Sequence, residues 1–162
     1  MQSDEFRIRH KREADDDWVA QLLEEHWGSA QVVTRGKIHD AHQLPGFVAV
    51  REAELVGLVT YRIDGDECEI VTLNSLVRGI GIGSALINAV NDMAVSAKCS
   101  RLWLVTTNDN TPALCFYQTR GFMLVAVHRN AVERSRKLKP EIPLYGIENI
   151  PIRDEIELEL IL

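Results

Sequence analysis

The chain has 162 residues, 46% of them hydrophobic and 26% charged, with a formal net charge of −6 at pH 7. That length suits one single folded domain with a substantial core, and the acidic balance excludes nucleic acid as the expected partner, because such modules carry a basic face. No apolar run approaches a membrane span and MQSDEFRIRHKREADDD holds no apolar leader core, so no membrane partner and a cytoplasmic location are expected. Cys68, Cys99 and Cys115 leave an odd thiol under any disulfide scheme and form no metal-like pair, which suits a reducing compartment with each thiol as a small core hydrophobe.

FRIRHKRE opens with alternation and predicts a first strand around Phe6 to Arg12. The acids Asp15, Asp16 and Asp17 precede WVAQLLEEHWG, whose Trp18, Leu22 and Glu25-His26 fall at helical spacing, with Gly28 as the stop. SAQVVTRGKIHDAHQLPG is polar and broken by Gly36 and Pro45, and reads as a loop with one short helix. GFVAVREAELVGLVTYRI reads as a hairpin turning at Glu52-Ala53-Glu54, with Leu55 to Ile63 as its second arm. Asp64-Gly65-Asp66 is the next turn and CEIVTLNSLV the next strand. Ile82, Ala85, Leu86, Ala89, Val90 and Met93 then form one helical stripe. RLWLVTT is a short strand. TPALCFYQTRG is a short helix with Thr111 placed to cap it, Pro112 at its first position and Gly121 at its end. FMLVAVHR is a strand, and the tail EIELELIL alternates Ile156, Leu158, Leu160 and Leu162 against Glu155, Glu157 and Glu159. The order is β, α, a strand-rich middle, then β-α-β-α-β and a last β: a mixed-sheet α/β domain.

The stretch RGIGIGSAL, Arg78 to Leu86, places a glycine-rich turn between strand and helix. Such turns hold phosphates: the helix start offers free N–H groups and partial positive charge, and glycine lets an anion approach the backbone. A Walker loop is excluded, since no lysine occurs between Lys37 and Lys98. The dinucleotide pattern GxGxxG is missed from either Gly79 or Gly81, each time at the third glycine. The pattern R-x-x-G-x-G is met by Arg78, Gly81 and Gly83.

That pattern resembles the acetyl-CoA signature of the GNAT superfamily of N-acetyltransferases. A second segment strengthens the resemblance: N-x-x-A-x-x-F-Y-x-x-x-G-F is filled by Asn110, Ala113, Phe116, Tyr117, Gly121 and Phe122. Both stand in the family's order, one helix and one strand apart, and the match covers about Cys68 to Arg129. The chain departs from the pattern in a strand-to-loop passage, NSLV, shorter than usual, in Thr119 where a basic residue is common, and in the extra Gly79. The resemblance implies a largely antiparallel central sheet flanked by helices, with a splayed strand pair holding acetyl-CoA (CoA) as co-substrate and no metal. It implies backbone contacts to pantetheine from Leu73, Asn74, Ser75 and Leu76, a pyrophosphate cradle from Arg78, Gly79, Gly81, Gly83 and Ser84, and further cofactor contacts from Asn110 and Phe116. Tyr117 is then the expected general acid at the CoA sulfur, and Glu69 the expected base, with Glu67 or a water chain as alternatives.

The chemistry that the resemblance implies is acetyl transfer to a primary amine. Such an amine, with a pKa near ~10.4, is protonated at neutral pH and needs a base. The acceptor is expected to be an amine of a small molecule or protein; the alternative function is a non-catalytic CoA-binding sensor. His39 and His42 in KIHDAHQ lack the spacing and third ligand of a zinc site and are expected to be solvated loop residues. Residues 130–152 form a long connection carrying Arg134, Arg136, Lys137 and Lys139, expected to be an exposed basic turn, a cap on the acceptor site, or a reach toward the 3′-phosphate of CoA. The last strand either pairs across chains to make a homodimer or completes one sheet.

Overall fold

The computed structural model describes residues 5–162; the charged N-terminal stretch begins with residues 1–4, which lie outside them. Strand β1 (Arg7–His10) leads through a short 3-10 turn into α1 (Asp16–Trp27). The acidic run has a structural use: the Asp15 carboxylate accepts from Arg9 Nη1 at 2.8 Å, Arg9 Nη2 at 3.0 Å and the Arg12 N–H at 2.7 Å. Gly28 closes α1 as expected, in a left-handed conformation (φ 75°) with its N–H on the Glu24 carbonyl.

The segment read as a loop is instead a hairpin, β2 (Gln31–Thr34) and β3 (Lys37–Asp40), followed by a 3-10 turn at Ala41–Gln43. Its inward residues are of mixed polarity, Val32, Thr34 and His39, while Ile38 points outward at 47% exposure, so polarity does not alternate along the segment. Arg35 (φ 49°) and Gly36 (φ 74°) make its two-residue turn. His39, expected in solvent, is buried.

The remaining strands are β4 (Gly46–Arg51), β5 (Glu54–Asp64), β6 (Glu67–Ser75), β7 (Arg101–Thr107), β8 (Met123–His128) and β9 (Glu155–Ile161). The helices are α2 (Ile82–Ser96), α3 (Thr111–Gln118) and α4 (Ala131–Leu138). Seven strands form one sheet in the order β1-β4-β5-β6-β7-β9-β8, every neighbour antiparallel except β6 and β7. The fold is thus the mixed α/β sheet that the residues imply, largely antiparallel as the resemblance implies. The last strand lies inside the sheet between β7 and β8, hydrogen-bonded on both sides, and is not free to pair with another chain.

Alternation along the strands sends side chains to two cores. On one face Ile82, Leu86 and Val90 of α2 meet Ala49, Val59, Leu102 and Leu158; on the other, Val19, Leu22 and Leu23 of α1 meet Val48, Leu58 and Val71. Each fully buried aliphatic side chain contributes about 1.5–3 kcal/mol. The α2 stripe is broader than its spacing suggests, since Ile87 and Ala94 are buried too. Of the three thiols Cys68 and Cys99 belong to this core, whereas Cys115 is exposed, against expectation.

Candidate functional site

The parallel pair β6/β7 is in register only at Glu67–Arg101, Cys68–Leu102 and Glu69–Trp103. Immediately beyond, Val71 is an extra residue in β6: Thr60 faces Thr72 and Tyr61 faces Ile70, leaving Val71 unmatched. A bulge bends and twists its strand, and here it stands where β6 leaves β7. From that point the β7-facing backbone of β6 has no strand partner, and Asn74 Oδ1 is buried without a hydrogen bond. Leu73, Asn74 and Ser75 lie along this opened edge, while the Leu76 N–H is engaged by the Val56 carbonyl at 2.9 Å.

The glycine turn follows directly. Gly79 (φ 81°) and Gly81 (φ 87°) are left-handed, a region that side chains disfavour, and a Cβ on either would meet nothing within 4 Å. Gly81 is the N-cap of α2 and offers no side-chain acceptor, so the first N–H groups of the helix lack a partner within it. Gly83 has a different reason to be glycine: a Cβ there would lie 3.1 Å from the Phe116 ring, so α2 and α3 touch at this point. Arg78 is exposed beside the turn. Ser84 Oγ accepts from Arg120 Nε at 2.9 Å and Nη2 at 2.8 Å, and that guanidinium stands 3.5 Å over Phe116. Two cations and a helix start therefore border one open patch, a fit for a diphosphate.

Asn110, not Thr111, caps α3: its side chain accepts from the Ala113 N–H at 3.3 Å. The helix carries Tyr117 inward, edge-on to Phe116 (5.2 Å) and Phe122 (5.4 Å). Burial pushes the Tyr117 phenol above its ordinary range, with Arg120 pulling weakly the other way, so it is a neutral O–H donor at physiological pH.

Glu69 is 2% exposed, and both its oxygens are engaged. Thr34 Oγ1 donates to Oε1 at 2.7 Å and Arg62 Nε donates to Oε2 at 3.0 Å. His39 Nε2 lies 2.8 Å from the same Thr34 hydroxyl, which has one proton; with that proton on Glu69, His39 donates. Burial lowers the His39 pKa, with Glu69 opposing, so the ring is neutral near pH 7. Glu67 is tied to Arg101, which also binds Glu157 and Glu159.

Two cavities flank this group. The smaller, about 180 Å³, is lined by Arg35, Lys37, Arg62, Glu67, Glu69 and Trp103; the larger, about 480 Å³, opens between β2, the diverging strand ends and α4, and Thr34 lines both. The long connection borders the larger one. Lys139 Nζ donates to the carbonyls of Trp27 and Gln31, each at 3.0 Å, and Arg136 holds the carbonyls of Ile142, Pro143 and Ile152. Of the four basic residues noted in the sequence, Lys139 thus ties the connection to the end of α1 and the start of β2, and Arg136 braces the connection internally. Glu155, at 5% exposure, also lines it.

Sequence reading missed Thr34 and took His39 for a solvated loop residue, and it missed Arg120 and Glu155. The dipeptide Arg35-Gly36 between β-branched runs is the one signal that points to the hairpin bearing the first two. Among the described residues no three His, Cys, Asp or Glu side chains are grouped to hold a metal, and no helix is long and apolar enough to cross a membrane.

Residues 4–122 match the model of the acetyltransferase (GNAT) family. The chain is 47% identical over 139 residues to the uncharacterized protein YdhI of Bacillus subtilis (strain 168), covering 85% of this chain and 87% of that one. Its fold resembles that of the IAA acetyltransferase from Bacillus cereus ATCC 14579, with a TM-score of 0.72 at 18% identity over 98% of this chain and 100% of that one. It likewise resembles a GNAT family acetyltransferase from Elizabethkingia anophelis with acetyl-CoA bound, with a TM-score of 0.70 at 20% identity over 99% and 100% of the two chains. With its bulged, diverging strand pair and glycine-capped helix, this chain belongs to the acetyltransferase (GNAT) family.

Proposed function

We propose that the protein transfers the acetyl group of acetyl-CoA to a primary amine by direct attack in a ternary complex. The observation that carries this reading is the opened edge of β6 leading straight into the glycine turn and the bare N-terminus of α2, with Tyr117 on the adjoining helix. The orphaned Asn74 Oδ1 and the two left-handed glycines fit a ligand that runs along the strand and ends in a diphosphate.

In this reading Leu73, Asn74 and Ser75 pair with the pantetheine arm through backbone groups, and Leu76 contributes its carbonyl and side chain. Arg78, Gly79, Gly81, Gly83 and Ser84 surround the diphosphate, with Arg120 as an added charge. Asn110 and Phe116 border the arm near the sulfur. Bound acetyl-CoA supplies a thioester carbon open to attack. An N–H of the opened β6 edge polarises its carbonyl. The new N–C bond forms as the C–S bond breaks; Tyr117 gives its proton to the departing sulfur and is restored by the proton that the new amide nitrogen sheds.

The proton of the incoming ammonium needs a way out. Thr34 has one lone pair left for a water in the larger cavity. It passes its own proton to Glu69, whose carboxylate also lines the smaller cavity. Glu69 acts as base through this hydroxyl. Holding amine and thioester together supplies the larger share of the acceleration.

Calorimetry with CoA and thiol release from acetyl-CoA over an amine panel test the reading, comparing wild type with Tyr117→Phe. Binding with amine-dependent release, slowed in the variant, is expected. Binding without release over the whole panel replaces it with a CoA-binding sensor.

A further inference from the structure

Glu155, Glu157 and Glu159 share one face of β9, and their partners differ. Glu157 accepts from Arg101 and His128, both at 3.0 Å, and Glu159 from Arg101 at 2.8 Å. Glu155 receives one neutral hydrogen bond, from the Arg35 backbone N–H at 3.1 Å, and among the described residues forms no ion pair. It is nonetheless 5% exposed. A carboxylate taken from water without a cation is costly, and proteins rarely keep one without a partner. Glu155 sits at the mouth of β9, paired in register with Thr107 at the end of β7, and lines the larger cavity.

Much of the rest of that cavity is apolar. Val32, Val71, Val105, Val132 and Ile142 form its walls. Its cation, Lys139, is occupied by the Trp27 and Gln31 carbonyls, and burial lowers its pKa. Glu141, exposed at the rim, adds negative charge, and His26 is the other titratable group there. Lys139 and Arg136 hold the roof of this cavity, whose volume of about 480 Å³ suits a small molecule.

We propose that Glu155 is the counter-charge for the acceptor, and that the acceptor is a small alkyl or aryl-alkyl amine whose apolar body lies on the valine walls. This rests on the acetyltransferase reading for its use but not for its test. Glu155 holds the ammonium head by a charge-assisted hydrogen bond, and the hydroxyl of Thr34, on the same cavity wall, is the exit for its proton.

Titration calorimetry on the full chain with saturating CoA, which cannot react, tests this with hexylamine, 1-hexanol, hexanoate and short peptides with free N-termini. Hexylamine should bind about 10- to 100-fold more tightly than 1-hexanol, the range of a charge-assisted hydrogen bond, and Glu155→Gln should erase that difference. Glutamine keeps the acceptor for the Arg35 N–H, and the wild-type comparison stands even if the variant fails to fold. Equal binding of hexylamine and 1-hexanol, binding of hexanoate, peptides binding as well as hexylamine, or retention of the difference in Glu155→Gln overturns the proposal. Thiol release separates the two readings. Release with an unchanged amine KM in Glu155→Gln sinks only the role of Glu155; charge-dependent binding without release sinks only the transferase.

Discussion

Thr34 and Glu69, 35 positions apart in sequence, share a 2.7 Å hydrogen bond that lies at the boundary between two cavities. Among the described residues Thr34 is the one common to both cavities, so in the proposed reaction the pair should govern proton removal. Thr34→Val, nearly isosteric, should lower kcat on the order of 10²-fold and change its pH profile, while Thr34→Ser keeps both. It also strips Glu69 and His39 of a partner, costing about 1–3 kcal/mol in a melt. A pH profile identical in wild type and valine variant would refute the relay.

Tyr117→Phe removes one oxygen from a side chain packed between Phe116 and Phe122. Because the ring stays, the fold and the KM for acetyl-CoA should hold, whereas kcat should fall on the order of 10²-fold as general acid catalysis is lost. Steady-state kinetics with a preferred amine measures the split, and an unchanged kcat removes Tyr117 from the chemistry.

Gly83→Leu drives a side chain into the Phe116 ring, which a Cβ alone would approach to 3.1 Å. Overpacking of this kind costs about 1–3 kcal/mol, read as a lower Tm. CoA affinity should fall with it, since the first turn of α2 must move. Gly81→Val acts otherwise: nothing crowds it, and the cost is that of a β-branched residue at φ 87°. Calorimetry with CoA should show both losses.

Acid sensitivity follows from Asp15 and Asp154. Arg9 holds Asp15 below the usual carboxylate range, against burial and with help from the Arg12 N–H. Arg153 does the same for Asp154, against burial and with help from the Asn130 N–H. A depressed folded-state value means the folded chain binds fewer protons, so this stability is present above the unfolded aspartate pKa near ~3.9 and is lost as pH falls below it. Melts of wild type and Asp15→Asn should differ near neutral pH and converge toward about pH 2–3. A gap that stays constant across the range contradicts the assignment.

The sheet, helices α1 to α3 and the glycine turn were legible in the sequence because each is written locally, whereas α4 lay inside the segment read as a connection. β9 alternates cleanly, α2 has a full stripe, and Asn110 to Phe122 fix one short helix. The β2–β3 hairpin was not legible, since Thr34 and His39 face inward for hydrogen bonding rather than apolar packing, and a polar inward face looks like loop. Glu155 was hidden differently. In EIELELIL it is one of three equivalent acids, and only the position of Arg101, reaching two of them, sets it apart. The cap of α3 was misplaced by one residue because Thr111 and Asn110 are both good caps, and only the bond to Ala113 decides.

Where Gly83 abuts Phe116, the turn proposed to grip the diphosphate and the helix bearing the proposed proton donor are joined at one seam. In the proposed reaction the span between the two ends of the bound thioester is therefore a fixed gauge. An acyl chain longer than acetyl cannot be accommodated by sliding one end relative to the other. It has to extend forward into the chamber walled by Val71 and Val105, in competition with the amine for the same room.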